Sequence, residues 1–417
     1  MSSDSTLQLG TLGVSAYTVP TVSPEGDGTF AWEATTMVLV QARAGAWTGV
    51  GWTFAPAACA TLIRDTLEPA VTGLNAFDVP AAAEAMARTV RNASRPGLTG
   101  YAISAVDCAL WDLKARILDL PLHRLLGAAR TQVEVYGSGG FTTYSEDQLR
   151  TQLEGWAGHN QIPRVKIKIG QDRGANTARD LERIRQARDA IGPRVQLFVD
   201  ANGAYTAKQA VRVFEAAAEC DLSWFEEPVS SDHLEGLRQV RQSVSADVAA
   251  GEYGTDLFYF QRMCDAGAVD CLQVDVSRCG GFTEWFRAAA VAAAHGLEIS
   301  GHCAPNLTVP AAAGTPNFRH LEWFHDHVRI EDMFFDGTGD PHGGAVQPSG
   351  DRPGNGLIFR ERDAEKYRIW TPGNKGASVN KVNDISEGAV IGPRGDAVWM
   401  CVPQYSRPWL AAPASLP

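Results

Sequence analysis

The chain has 417 residues, of which 45% are hydrophobic and 20% charged, a mix that builds an ordinary core and excludes a disordered chain. That length admits two or three domains, or one large α/β barrel with additions. With 37 Lys and Arg against 48 Asp and Glu, the net charge of −11 speaks against nucleic-acid or anionic-membrane partners, although a metal or a local lysine pair can reverse the sign inside one pocket.

The opening residues Met-Ser-Ser-Asp-Ser carry neither the basic nor the apolar region of a secretory signal, and no run approaches the roughly 18 apolar residues of a membrane span. None of the eight cysteines forms a CxxC, so free thiols and a cytoplasmic location are expected. Residues 1–130 read as an α+β capping domain. A polar, Gly-rich loop is expected at about 21–31, then a hairpin of strands at 35–42 and 48–53. Residues 56–93 read as helical with loops. A strong helix is predicted over 100–118, where Ile103, Val106, Leu110, Leu113 and Ile117 recur at spacings of three and four.

From residue 131 to 330 the pattern changes. β-rich runs centre near residues 135, 167, 198, 224, 250, 273, 299 and 321, with helical stretches between them. This is the sequence form of a (β/α)8 barrel, although the count by itself also allows a doubly wound open sheet. Residues 331–370 are a mixed segment expected to return to the capping domain and complete it. Residues 371–417 read as a loop-rich tail rich in Gly and Pro.

The residues that follow the β-runs are Ser138, Lys168, Asp200, Glu226, Glu252, Asp275, His302 and Glu322. In a barrel they form one rim, the face on which active sites are built. All are polar and all but Ser138 can ionise, which is more charge than helix capping alone accounts for. Asp200, Glu226 and Glu252 recur at the interval of one βα unit (226 − 200 = 26 and 252 − 226 = 26). Three converging carboxylates repel one another unless a cation joins them, and three hard oxygen ligands suit Mg²⁺. Asn202 and Glu227 stand beside them as supporting partners. Lys166 and Lys168 of VKIKIG point to one face of their strand, so mutual repulsion and burial are expected to lower a lysine pKa toward that of a base. His302 has Asp275 one strand away to orient its ring and raise its basicity. His320, His325 and His327 lack such a partner in the sequence, and HDH at 325–327 is weak evidence for a metal.

These pieces together resemble the enolase superfamily, in particular its mandelate racemase-like subgroup. The matching stretches are VKIKIG, VDANGAY, WFEEP, AAGEY, LQVDVSRCGG, SGH, the Glu at 322 and the N-terminal helix SAVDCALWDLKARILDLPLHRLLG. The resemblance implies that Asp200, Glu226 and Glu252 are metal ligands. It implies that Lys168 is one acid/base and His302, backed by Asp275, the opposite one. Lys166 and Glu322 would bind the substrate carboxylate. The His–Asp pair separates the chain from muconate-lactonising and dipeptide-epimerising relatives, which have Lys in place of Asp275. Glu252 separates it from the glucarate dehydratase-like group, which has Asn there.

The implied chemistry is Mg²⁺-assisted removal of the proton α to a carboxylate of a small molecule, most simply dehydration of an aldonic or aldaric acid to a 2-keto-3-deoxy acid. Racemisation or epimerisation of an α-hydroxy acid, lactone cycloisomerisation and a non-catalytic metal-binding relative are the alternatives. Ser138, Asn202 and Trp52 are the candidate substrate contacts, Trp52 and Phe54 being able to wall an apolar pocket. The cap loops show no Arg fork, which favours a monoacid. A homo-oligomer is expected.

Overall fold

The computed structural model describes residues 7–371, so the expected tail lies outside the described residues. Three long strands open the chain: β1 (Gly13–Gly26), β2 (Ala31–Ala44) and β3 (Trp47–Phe54), an antiparallel meander. Alternation explains the apolar run in β2. Val38, Val40 and Ala42 join the cap core, while Met37 and Leu39 join the core shared with the barrel. The helix Leu98–Ile117 lies directly on β3. Gly49 and Gly51 permit that approach, since a Cβ on either would stand 2.2 Å from Leu113 N or 2.4 Å from Ala109 N.

The loop expected at 21–31 is largely strand. β1 continues to Gly26, pairing Glu25 with Trp32 and Gly26 with Ala31, so the turn spans only 27–30. Pro20 and Pro24 hide this strand in the sequence. They are tolerated because the other side of β1 is hydrogen-bonded only near Ala16 and Tyr17.

Eight parallel strands follow: β4 (Val133–Gly139), β5 (Arg164–Lys168), β6 (Gln196–Asp200), β7 (Leu222–Glu226), β8 (Asp247–Ala250), β9 (Cys271–Val274), β10 (Glu298–Gly301) and β11 (Phe318–Phe324). Each pairs with the next, and β11 pairs with β4 through Leu321↔Val135 and Phe324↔Ser138. That last pairing closes the barrel and excludes the open sheet. Short strands then lead back toward the cap: β12 (Phe335–Asp336), β13 (Ala345–Val346), β14 (Ile358–Phe359) and β15 (Arg368–Trp370). β13 pairs with β4 of the barrel, and β15 pairs with β1 of the cap sheet.

Cap and barrel are tied by specific contacts. Thr53 Oγ1 donates to the Ser277 carbonyl at 2.8 Å, and Trp111 Nε1 donates to Thr283 Oγ1 at 3.0 Å. The seven described cysteines are buried and free. Among the described residues no helix is long and apolar enough to cross a membrane.

Candidate active site

β5 alternates as its sequence requires. Val165 and Ile167 pack outward against the helices, and Lys166 and Lys168 point into the barrel. Lys166 Nζ contacts Glu226, lies 2.7 Å from Glu322 Oε1 and 3.6 Å from Asp200 Oδ2. Lys168 Nζ lies 2.5 Å from Asp200 Oδ2. The expected lowering of a lysine pKa is not what this geometry produces. Burial does act downward on both, and Lys166 acts downward on Lys168. The surrounding carboxylates Asp200, Glu226 and Glu322 outweigh these effects and raise both lysines.

Asp200, Glu226 and Glu252 converge from β6, from β7 and from the loop after β8. One oxygen from each lies within 4.8 Å of the others. Burial, Asp200 and Glu322 push Glu226 up to about 8, while its Oε2 accepts a 2.9 Å bond from Trp224 Nε1. Asp200 is held below the usual range despite its burial, because Lys168 and Lys166 lie beside it. Glu252 Oε2 lies 3.2 Å from His302 Nε2 yet accepts no well-aligned hydrogen bond. A hard-oxygen donor set with a buried oxygen lacking a donor fits a small divalent cation.

His302 stands one residue past β10, and its Nδ1 lies 2.7 Å from Asp275 Oδ2. Burial would lower its pKa, but Glu252, Glu322 and the bond to Asp275 raise it. The turn that follows is strained, with Cys303 (φ 47°) and Ala304 (φ 39°) both left-handed. Glu322 Oε2 accepts the Cys303 N–H at 3.1 Å, and His327 Nδ1 accepts the Ala304 N–H at 3.2 Å. Glu322 is fully buried, and Lys166 and His302 hold its carboxyl well below the usual range against the effect of burial.

The candidate substrate contacts divide. Asn202 lines the cavity with a buried, unpaired Oδ1. Ser138 Oγ instead donates to Glu322 Oε1 at 2.5 Å and does not line the cavity. Trp52 is a correction. It is fully buried, stacks on Phe335 at 4.5 Å and donates Nε1 to Glu331 Oε1 at 3.1 Å. Phe54, two residues on and on the same face of β3, is the wall residue. Position along that face decides between them, since Glu331 and Phe335 cover Trp52 while Phe54 at the strand end reaches the cavity.

The cavity holds about 470 Å³ between barrel and cap. Lys168, Glu252 and His302 form its barrel side, while Phe30, Trp32, Thr35, Thr36 and Phe54 form its cap side. Sequence reading missed Arg278, which lies 3.1 Å from Glu252 Oε1 and 3.3 Å from Asp275 Oδ2. Its position three residues after Asp275 in VSRCGG was the available signal. Cys303, Tyr253, Asp27 and Trp32 were missed as well, and nothing in their spacing marks them, while His327 stood out only as part of the HDH run.

Residues 148–364 match the family described as Enolase C-terminal domain-like, and residues 19–127 match the Mandelate racemase / muconate lactonizing enzyme, N-terminal domain. The chain belongs to the enolase superfamily, in its mandelate racemase-like subgroup. L-talarate/galactarate dehydratase of Salmonella typhimurium is 32% identical over 246 residues, a match that covers 57% of this chain but only 61% of that protein. Its crystal structure liganded with Mg and L-lyxarohydroxamate superposes with a TM-score of 0.79 at 26% identity, covering 87% of this chain and 93% of that one. The 3,6-anhydro-alpha-L-galactonate cycloisomerase of Streptomyces coelicolor is 30% identical over 320 residues, 75% of this chain and 85% of that protein. A mandelate racemase/muconate lactonizing enzyme-like protein from Rubrobacter xylanophilus superposes with a TM-score of 0.83 at 46% identity, covering 87% of this chain and 99% of that one.

Proposed function

We propose that this chain removes the proton α to the carboxylate of a sugar acid, in a Mg²⁺-dependent reaction, and dehydrates it to a 2-keto-3-deoxy acid. The observation that supports this best is that Lys168 and His302, from the second and seventh barrel strands, line one cavity beside the Asp200, Glu226 and Glu252 carboxylates. Those three would hold Mg²⁺, which when bound supplies positive charge to a substrate carboxylate as its α-carbon loses a proton.

The chain's own residues account for the rest. Lys166 Nζ and the Glu322 carboxyl, 2.7 Å apart, are fully buried and do not themselves line the cavity; the family resemblance gives them the task of sharing the charge of the substrate carboxylate. Lys168 and His302 approach from opposite sides, so the configuration at the α-carbon selects which of them takes the proton. Asp200 would be one of the residues to hold the cation, and a cation there would supply positive charge that disfavours the protonated form of Lys168. The C–H bond breaks toward one group, the β-C–O bond breaks with a proton from the other, and the resulting enol tautomerises to the 2-keto acid. Asp275 fixes the ring of His302 through Nδ1 and leaves Nε2 for proton transfer.

A monoacid fits better than a diacid. Arg278 is engaged by Glu252 and Asp275, Lys168 by Asp200, and Asp27 and Asp326 line the same cavity. Two opposed acid/base groups also suit racemisation of an α-hydroxy acid. An assay of an aldonic and aldaric acid library with Mg²⁺ separates the readings. A 2-keto product supports dehydration. Deuterium from solvent at the α-carbon without a keto acid overturns it in favour of racemisation.

A further inference from the structure

His327 belongs to the helix His325–Phe334, which follows the eighth barrel strand. Its ring lines the cavity and stacks on Phe54, with centroids 3.5 Å apart and planes 8° apart. Phe324 packs against it edge-on at 5.0 Å. Of the HDH run, His325 lies outside the cavity lining, and Asp326 is engaged by Thr35 and Arg329.

The protonation pattern of His327 follows from one hydrogen bond. The Ala304 N–H donates to Nδ1 at 3.2 Å. A backbone amide can only donate, so Nδ1 is the bare nitrogen and the proton of the neutral ring sits on Nε2. The ring stays neutral because burial, His302 and Arg278 push its pKa well below the usual value against the pull of Asp275. Nε2 has no protein acceptor among the described residues, although His327 is only 6% exposed. The opening next to this ring is the cavity, so Nε2–H faces space in which a water or a ligand oxygen can accept from it.

We propose that His327 is a specificity residue whose Nε2–H donates to a hydroxyl of the substrate chain, on the cap side of the reacting carbons. This rests on the sugar-acid reading above. It differs from a purely packing role, in which any flat ring against Phe54 would serve. It differs also from a purely structural role, in which only the bond to Ala304 matters.

Three variants separate these roles. His327→Phe keeps a ring and loses both nitrogens. His327→Asn keeps an acceptor where Nδ1 stands but no donor at Nε2, and His327→Gln places a donor near Nε2 without the Nδ1 acceptor. Mg²⁺-loaded full-length protein is titrated calorimetrically with D-gluconate, D-galactonate, D-mannonate and D-arabinonate, and with 2-hydroxyhexanoate, which has no hydroxyl beyond the α-carbon. Mg²⁺ binding by each variant verifies its fold. The best-bound aldonate is expected to weaken about tenfold in His327→Phe and His327→Asn and to recover in His327→Gln, with 2-hydroxyhexanoate changing less than about twofold. Equal losses for both ligand types, recovery in His327→Asn rather than His327→Gln, or no loss in His327→Phe overturns the inference. The 2-keto acid assay reports separately on the parent reading. Aldonates that bind through His327 without being dehydrated leave the inference standing and remove dehydration. Aldonates that are dehydrated with no selective effect at His327 do the reverse, and no aldonate binding at all removes both.

Discussion

Two layers of the same barrel interior, two residues apart along the same strands, are built from opposite chemistry. The deeper layer is Tyr136, Phe198, Trp224, Ala249 and Cys271, with His320 among the aromatic rings. Two residues on, the strands present Ser138, Asp200, Glu226 and Glu322, with Lys166 and Lys168 beside them. Both layers are buried, so burial alone does not decide what a side chain becomes. The two histidines show the difference. Burial among rings and nearby cations pushes His320 well below its usual pKa, whereas the carboxylates around His302 raise it. The upper layer tolerates buried charge because each charge has an opposite neighbour, and the lower layer supplies the close-packed floor that keeps those neighbours in place. Trp224 joins the two through its bond to Glu226.

The largest effect should come from breaking the upper layer's carboxylates. Asp200→Ala and Glu252→Ala are each expected to lower kcat/KM by roughly 10³-fold or more while the barrel stays folded, and chelation should do the same reversibly. Metal titration and circular dichroism on each variant check this, and full turnover in chelator would remove the triad from the mechanism. The acid/base pair comes next. Lys168→Ala and His302→Asn should each cost about 10²- to 10⁴-fold in turnover but fail differently in deuterated water. Whichever group is the base for a given isomer takes α-proton exchange with it, while loss of the other leaves exchange and stops product. Asp275→Asn should imitate a weakened His302, losing roughly 10- to 100-fold. Unchanged turnover in both base variants would sink the two-base mechanism.

Breaking the floor should act on folding before chemistry. Trp224→Ala is expected to cost about 3–5 kcal/mol in denaturant unfolding, because it opens a cavity and leaves Glu226 Oε2 without its donor. Trp224→Phe should keep most of that stability and lose Mg²⁺ affinity instead. The smallest effect tests a buried carboxylate with no cation beside it. Burial pushes Glu331 up to about 8, even though Asn306 and Trp52 hydrogen-bond to it. A raised carboxylate pKa means that its stabilising contribution is complete below the unfolded value of about 4.3 and is lost as pH rises toward 8. Glu331→Gln should therefore flatten the fall in stability across that window, to which Glu331 contributes up to about 1.4 kcal/mol per pH unit. Parallel slopes in the two proteins would show that Glu331 does not titrate there.

Much of the architecture was legible because strand and helix periods are local. All eight barrel strands fall where the β-rich runs are centred, and the helix read over 100–118 occupies Leu98–Ile117. The rim residues were legible for the same reason, since a side chain at a strand end has one place to go in a barrel. β1 beyond Pro20 was not legible, because proline's tolerance there depends on which edge of the strand is unpaired. Trp52 and Phe54 could not be told apart either, as both are apolar aromatics two residues apart and only the packing of Glu331 and Phe335 beneath the cap distinguishes them.

The order and spacing of polar residues at strand ends, by themselves, determined which groups meet at the barrel mouth, because the interval of a βα unit converts sequence distance into adjacent strands. Only the tertiary structure decided their electrostatic state. Lysines that look mutually repelling in VKIKIG are each held by carboxylates from other strands, and those contacts, at 2.7 Å between Lys166 and Glu322 and 2.5 Å between Lys168 and Asp200, outweigh both burial and lysine–lysine repulsion. Charge–charge energy depends on distance through space, and the chain brings residues 166 and 322 together only when the eighth strand closes on the first.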